Sequence, residues 1–300
     1  APIFAIWILF GINIIFTMKK EKGPWPVYYW MWMTGIVFFL ITFSEAHFYL
    51  IPFFNENIVR ETTIQWKSYG ALVGSWNMLV YGTAMFVMER ISGDKKLAYS
   101  NQAFLLYTLS FIALMVGWAH HVYAVPSAPW VRMTAYIISM AELAILMKII
   151  WEWRASLTPD QKHAHRQSYR FIFAADIWVF LNLILAILIS IPAFNLFSHG
   201  THITVAHAMG TTIGINTMIL MGSVFLIAEE LVREQFFGWA KEWANRGFWV
   251  SNVSLLIFLS ALMVAGSMEA FTEWEDFYEQ SEAVVPMLIT FSISGVGLLA

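Results

Sequence analysis

The sequence predicts an all-α polytopic membrane protein, a bundle of about nine transmembrane helices. Three observations carry this. The 300 residues are 59% hydrophobic and only 12% charged, with a mean hydropathy of +0.63. A soluble domain runs about 45–50% apolar and about 25% charged, so this composition excludes an ordinary water-soluble globule, a disordered chain and a free-standing nucleic-acid binder. The apolar residues fall in runs of about 20, enough to cross the ~30 Å hydrocarbon core as a helix. The basic residues fall between alternate runs.

In order, the runs cover 2–18, 27–53, 70–89, 101–120, 131–153, 171–195, 203–228, 247–267 and 284–300. Lys19, Lys20 and Lys22 follow the first; Arg90, Lys95 and Lys96 follow the third. Lys148 ends the fifth, and Arg154, Lys162, Arg166 and Arg170 follow it. Arg233, Lys241 and Arg246 follow the seventh. The other connections hold only Arg60, Lys67 and Arg132. Basic loops stay cytoplasmic. The expectation is a multi-pass protein of the cell membrane with its N-terminus outside and its C-terminus inside. With neither a fixed-period repeat nor a low-complexity linker, residues 1–300 read as one transmembrane domain. The chain opens inside an apolar run without Met, as a processed or partial sequence would.

There are no cysteines, which excludes disulfides, thiolate metal sites and covalently attached c-type haem. Any metal falls to histidine, methionine or oxygen. The polar residues that interrupt the spans collect toward the predicted outer ends. His120 and His121 end the fourth run, Glu142 lies in the fifth, and His199, His202 and His207 cluster at the start of the seventh. Asn77 and Tyr81 stand one turn apart in the third. Ionisable groups inside a bilayer are costly and usually face the bundle interior, and neutral imidazole is the commonest metal ligand. His207 and Met209 point about 200° apart on a helix, so they cannot share one small metal. They can serve two cofactors on opposite faces, or Met209 is core packing like many of the 16 methionines. His47 reads as an interfacial anchor, and His163 and His165 as solvated loop residues. Trp25, Trp30, Trp130, Trp151, Trp153 and Trp239 read as the aromatic belt. A transporter is the weaker alternative, because its polar site would sit at midplane helix breaks.

Two segments go further. Gly117-Trp-Ala-His-His-Val-Tyr123 and His199-Gly-Thr-His-Ile-Thr-Val-Ala-His207 resemble the large subunit of bacterial nitric oxide reductase, within the haem–copper oxidase superfamily. The resemblance covers essentially the whole chain and matches the family's fourth to twelfth helices. It implies that His207 is the axial ligand of a high-spin b-type haem, and that His120 and His121 are two of three histidines holding the non-haem iron that faces it. It further implies that Glu142 lies close to that iron and that His199 lies near the haem propionates.

The departures are specific. Where the family reads His-Leu-Trp-Val-Glu-Gly, this chain reads Asn77-Met-Leu-Val-Tyr-Gly82, so Asn77 replaces the third iron ligand and Tyr81 the glutamate. Met209 replaces a histidine that ligates the low-spin haem. The family's second helix, which carries the other low-spin ligand, has no counterpart. An amide oxygen is a weaker, harder ligand than imidazole, so the metal should be held less tightly. Thioether ligation raises a haem's potential, so a second, low-spin haem on Met209 is chemically sensible if another chain supplies its histidine.

The resemblance therefore implies a haem-binding oxidoreductase subunit of a respiratory redox complex, fed by a c-type cytochrome or another redox subunit on the outer face. The acidic stretch Glu269, Glu273, Glu275, Asp276, Glu279 and Glu282 would either dock that cationic partner or simply be solvated. The alternative is a degenerate, non-catalytic membrane subunit that anchors or wires a larger electron-transfer complex.

Overall fold

The computed structural model describes residues 2–121, 127–232, 239–273 and 276–299. These residues are helical throughout, with short connections and no strand among them. The nine main helices are α1 (Pro2–Met18), α2 (Val27–Glu45), α3 (Ile58–Ser92), α4 (Asn101–Val116), α5 (Pro129–Ser156), α6 (Arg166–Ile189), α7 (starting at His202), α8 (Trp239–Phe271) and α9 (Phe277–Leu299). Helix α7 runs as an α-helix to Met209, as a π-helix over Gly210–Thr217, and again as an α-helix over Met218–Val232. Eight of the nine are long and apolar enough to cross a membrane. Pro2–Met18 has 17 residues, about 25 Å of helix at 1.5 Å per residue.

Several helices extend past the apolar runs that announce them. Helix α3 begins at Ile58 rather than near 70, because Asn57 caps it: the Asn57 side chain accepts from the backbone N–H groups of Val59 and Arg60, both at 3.1 Å. Its first turns carry Arg60, Glu61, Gln65 and Lys67, which dilute the hydropathy without breaking the helix. It stops at Gly93, whose φ of 69° only glycine adopts freely. The stretch expected as 171–195 divides at Pro192, which starts a separate short helix, Pro192–Ser198. Likewise α2 stops at Glu45, and Phe48–Leu50 and Pro52–Asn55 form two short turns.

Contacts divide the chain into two compact units, Ala1–Trp153 and Arg154–Ala300. In the first, α2 packs along α3, which packs in turn on α4, while α1 lies against α2. Glycines set the closest approaches. A Cβ on Gly74 would stand 2.8 Å from the Leu114 backbone, and one on Gly70 would stand 2.3 Å from Trp118 Cβ. Helix α5 is tied in by the Trp153 indole, which donates to the Met88 carbonyl at 2.9 Å. In the second unit α8 pairs with α9, and α7 packs on both α6 and α8. The contacts Asn182–Gly210, Trp178–Gly214 and Ile172–Gly222 define an antiparallel α6–α7 register. A Cβ on Gly266 would stand 2.2 Å from the Ile203 nitrogen, so α8 bears directly on the first turn of α7.

Candidate functional site

In the first unit a polar seam runs between three apolar helices. Tyr81 of α3 is 1% exposed and Glu142 of α5 is 7% exposed. The two lie within electrostatic reach of each other, and Ser110 of α4 neighbours the Glu142 carboxyl. Asn77 is one turn before Tyr81 and partly buried. At the end of α4 the chain tightens into a 3₁₀ turn, Gly117–His121. This turn meets α3 at Gly70, two turns before Asn77. Gly117 fits against Ser139 of α5, whose Oγ would be 3.2 Å from a Cβ there. The backbone of His120 and His121 therefore sits over α3, within the helix group that carries Asn77 and Glu142. The side chains of His120 and His121, and all of Tyr123, lie outside the described residues.

In the second unit the approach to α7 is built for a sharp turn. His199 ends the helix Pro192–Ser198, and Gly200 has φ 82°, the conformation that makes glycine the natural residue in the His-Gly-Thr stretch. Thr201 then caps α7 through Ile203 N–H. His207, 8% exposed, sits in the last α-helical turn before the π segment. Its Nδ1 is 3.1 Å from Oδ1 of Asn182 on α6. Asn182 Nδ2 donates to Thr211 Oγ1 at 2.6 Å, and Thr211 donates to the His207 carbonyl at 3.4 Å. This closed ring fixes the imidazole. With the proton on Nδ1, facing an acceptor, Nε2 carries the lone pair. Metal-binding histidines are held in this way, with the second nitrogen donating to a fixed oxygen. A buried imidazole held in this orientation is suited to ligate a haem iron.

The π segment contributes to that ring. Its wider turn, backed by Thr217 Oγ1 donating to the Thr212 carbonyl at 3.0 Å, follows His207 directly. It sets Gly210 and Gly214 against Asn182 and Trp178. Such π bulges recur at functional sites. Met209 is partly buried and two residues past His207 on α-helical backbone, so it points away from His207.

Not every polar residue singled out by the sequence joins these groups. His202 Nδ1 donates to Glu269 Oε1 at 2.7 Å, and Glu269 Oε2 accepts from the His202 backbone N–H at 2.9 Å. That pair anchors the start of α7 to α8, so His202 is structural and Glu269 is no member of a free acidic surface. Asp276 caps α9 through the N–H groups of Tyr278 and Glu279, and Glu275 lies outside the described residues. His165 pairs with Glu229 at 3.3 Å rather than being merely solvated. His47 Nδ1 donates to the Phe43 carbonyl at 2.8 Å, as an interfacial anchor does. The sequence pattern misses Asn182, the partner of His207. It also misses Asp176 of α6, 4% exposed, whose Oδ1 has no hydrogen-bond partner among the described residues. No group of three or more His, Asp or Glu that could hold a metal occurs among the described residues.

Comparison with known proteins agrees with this architecture. A nitric oxide reductase subunit of Stutzerimonas stutzeri is 21% identical over 277 residues, covering 89% of this chain and 56% of that protein. A cytochrome c oxidase subunit 1 homolog of Agrobacterium tumefaciens (strain T37) is 27% identical over 94 residues, 31% of this chain and 17% of that one. A haem–copper terminal oxidase solved as a dimer by cryo-EM superposes with a TM-score of 0.70 at 16% identity, covering 94% of this chain and 55% of that one. The chain thus spans about half the length of the Stutzerimonas relative and of the solved oxidase, and the helix bundle expected from the sequence is the bundle of haem–copper oxidase subunit I. The family model described as cytochrome c and quinol oxidase polypeptide I matches residues 1–297, and the chain belongs to that family.

Proposed function

We propose that the chain is the haem-binding membrane subunit of a nitric oxide reductase-like respiratory redox complex, with a high-spin b-type haem on His207. The observation that carries this reading is the buried His207, whose Nδ1 is held by Asn182 at 3.1 Å. His207 would supply Nε2 to the haem iron, and His199 would serve the propionates. Asn77, His120, His121 and Glu142 would hold a second, non-haem metal, by the resemblance an iron. A bound haem supplies an iron that exchanges electrons and binds a small diatomic ligand at its open position.

The chain's own part is binding, orientation and proton handling. The Asn182–Thr211 ring keeps the imidazole from rotating. The apolar helices around Tyr81 and Glu142 exclude bulk water. Glu142 is the acid of the polar seam, with Ser110 beside its carboxyl and Tyr81 within electrostatic reach. Tyr81 in place of a carboxylate removes a charge from the seam and adds a hydroxyl that stays protonated near neutral pH. The basic connections would lie in the cytoplasm, with the N-terminus outside, and electrons would arrive from a c-type cytochrome on the outer face. Met209 would ligate a second, low-spin haem only where a further chain brings a histidine.

Asn77 favours a second reading. Weaker metal binding there fits a subunit that has lost catalysis and serves as a scaffold or electron wire. Pyridine haemochrome analysis, CO difference spectra and iron determination on the purified protein separate the two. A b-type haem that binds CO, with iron in excess of haem, supports the enzyme. A six-coordinate haem that ignores CO supports the wire, and protein free of haem defeats the enzyme and leaves only the scaffold.

A further inference from the structure

A cleft of about 360 Å³ opens at the N-terminal ends of α6 and α8, lined by Arg166, Gln167, Lys241, Glu242 and Asn245. Its charge is one-sided. Glu242 is neutralised by Arg246 at 2.5 Å. Arg166 and Lys241 have no ion-pair partner among the described residues. Arg170, within electrostatic reach of Arg166, donates to Asn245 Oδ1 and stacks its guanidinium on Phe248 at 4.1 Å. It too has no carboxylate partner among them.

Two further features point to a ligand. Gln167 is 3% exposed, and its carboxamide oxygen is buried with no hydrogen-bond partner among the described residues, although the residue lines the cleft. The first turn of α6 has no side-chain cap, because His165 makes no capping hydrogen bond, and uncapped N–H groups at a helix start favour an anion. The ligand is therefore an anion that also brings a hydroxyl or other donor for Gln167 Oε1. Both helices begin their apolar spans here. Trp243 and Trp249 of α8 are exposed, as aromatic residues at the headgroup level are.

We propose that this cleft binds the phosphodiester headgroup of an anionic glycerophospholipid. The phosphate lies between Arg166 and Lys241, and a headgroup hydroxyl donates to Gln167 Oε1. Basic recesses at the ends of membrane helices take such headgroups. The site is independent of haem binding at His207.

The test uses the full chain in nanodiscs of phosphatidylcholine, with or without phosphatidylglycerol, read by thermal midpoint and by the lipid retained in native mass spectrometry. Phosphatidylglycerol should raise the midpoint and be retained selectively. In Arg166→Gln/Lys241→Gln its apparent affinity should fall about 25-fold, at roughly fivefold per surface cation, with unchanged circular dichroism. Gln167→Met should keep binding to anionic lipid but lose the preference for phosphatidylglycerol over phosphatidic acid. Equal retention by the double variant and the parent overturns the proposal. So does an equal midpoint shift from inorganic phosphate in pure phosphatidylcholine discs, which would make the cleft a site for free phosphate.

Discussion

Asn182→Leu isolates the hydrogen bond that orientates His207. Leucine has the branched shape of asparagine, so it fills the crowded space against Gly210, where a Cβ would already be 2.7 Å from Asn182 Oδ1. No water can then replace the lost oxygen. The His207 Nδ1–H, now 3.1 Å from its acceptor, would be left unpaired. A buried donor without a partner costs about 1–3 kcal/mol. Loss of such an outer partner typically weakens metal binding by about 10–100-fold, or roughly 1.4–2.7 kcal/mol. The assay is the rate of haem transfer to excess apomyoglobin, with the iron–histidine stretch read by resonance Raman. The variant should lose haem about 10–100-fold faster and show a weakened stretch. Asn182→Asp keeps an acceptor and should restore both, and Thr211→Val, which removes the partner of Asn182 Nδ2 but leaves the acceptor of His207 in place, should give a smaller loss than Asn182→Leu. Transfer within twofold of the parent in Asn182→Leu would refute the reasoning.

Three further outcomes follow from the packing. Gly266→Ala puts a methyl 2.2 Å from the Ile203 nitrogen and should cost about 1–3 kcal/mol by overpacking. It should lower the thermal midpoint and haem content together, whereas Gly247→Ala, with nothing within 4 Å, should change neither. Glu142→Gln keeps the shape of the seam but removes its charge, and should lower non-haem iron per protein about tenfold while leaving the haem spectrum intact. Asn77→His replaces an amide oxygen by imidazole and should raise metal retention under chelator challenge; unchanged retention would remove Asn77 from the site.

What the sequence reveals follows from what a membrane demands. Every span must be apolar over about 20 residues, so the helices declare themselves, and basic residues mark alternate connections. Helix ends outside the hydrocarbon obey no such rule. Ile58–Gln65 is helical behind the Asn57 cap, and Trp239–Arg246 carries the Glu242–Arg246 pair one turn apart, local contacts that hydropathy ignores. The histidines are conspicuous because imidazole is rare in lipid, yet their duties differ. His202 and His207 look alike in sequence, but one is bonded to Glu269 and the other to Asn182. Those partners lie 67 and 25 residues away and meet them only through helix register. The same holds for Tyr81 and Glu142, whose proximity depends on α3 and α5 packing. The π-helix after His207 is hidden for another reason: Gly210–Thr217 reads as ordinary helix, and the extra residue per turn becomes visible only in the backbone.

The most direct test of the central claim compares the parent with His207→Ala by optical and electron paramagnetic resonance spectroscopy, at matched helical content by circular dichroism. With His207 as the axial ligand, the parent carries a high-spin ferric haem that binds CO when reduced, and the alanine variant loses that signal. A variant that retains the same haem content and the same high-spin spectrum would contradict the assignment.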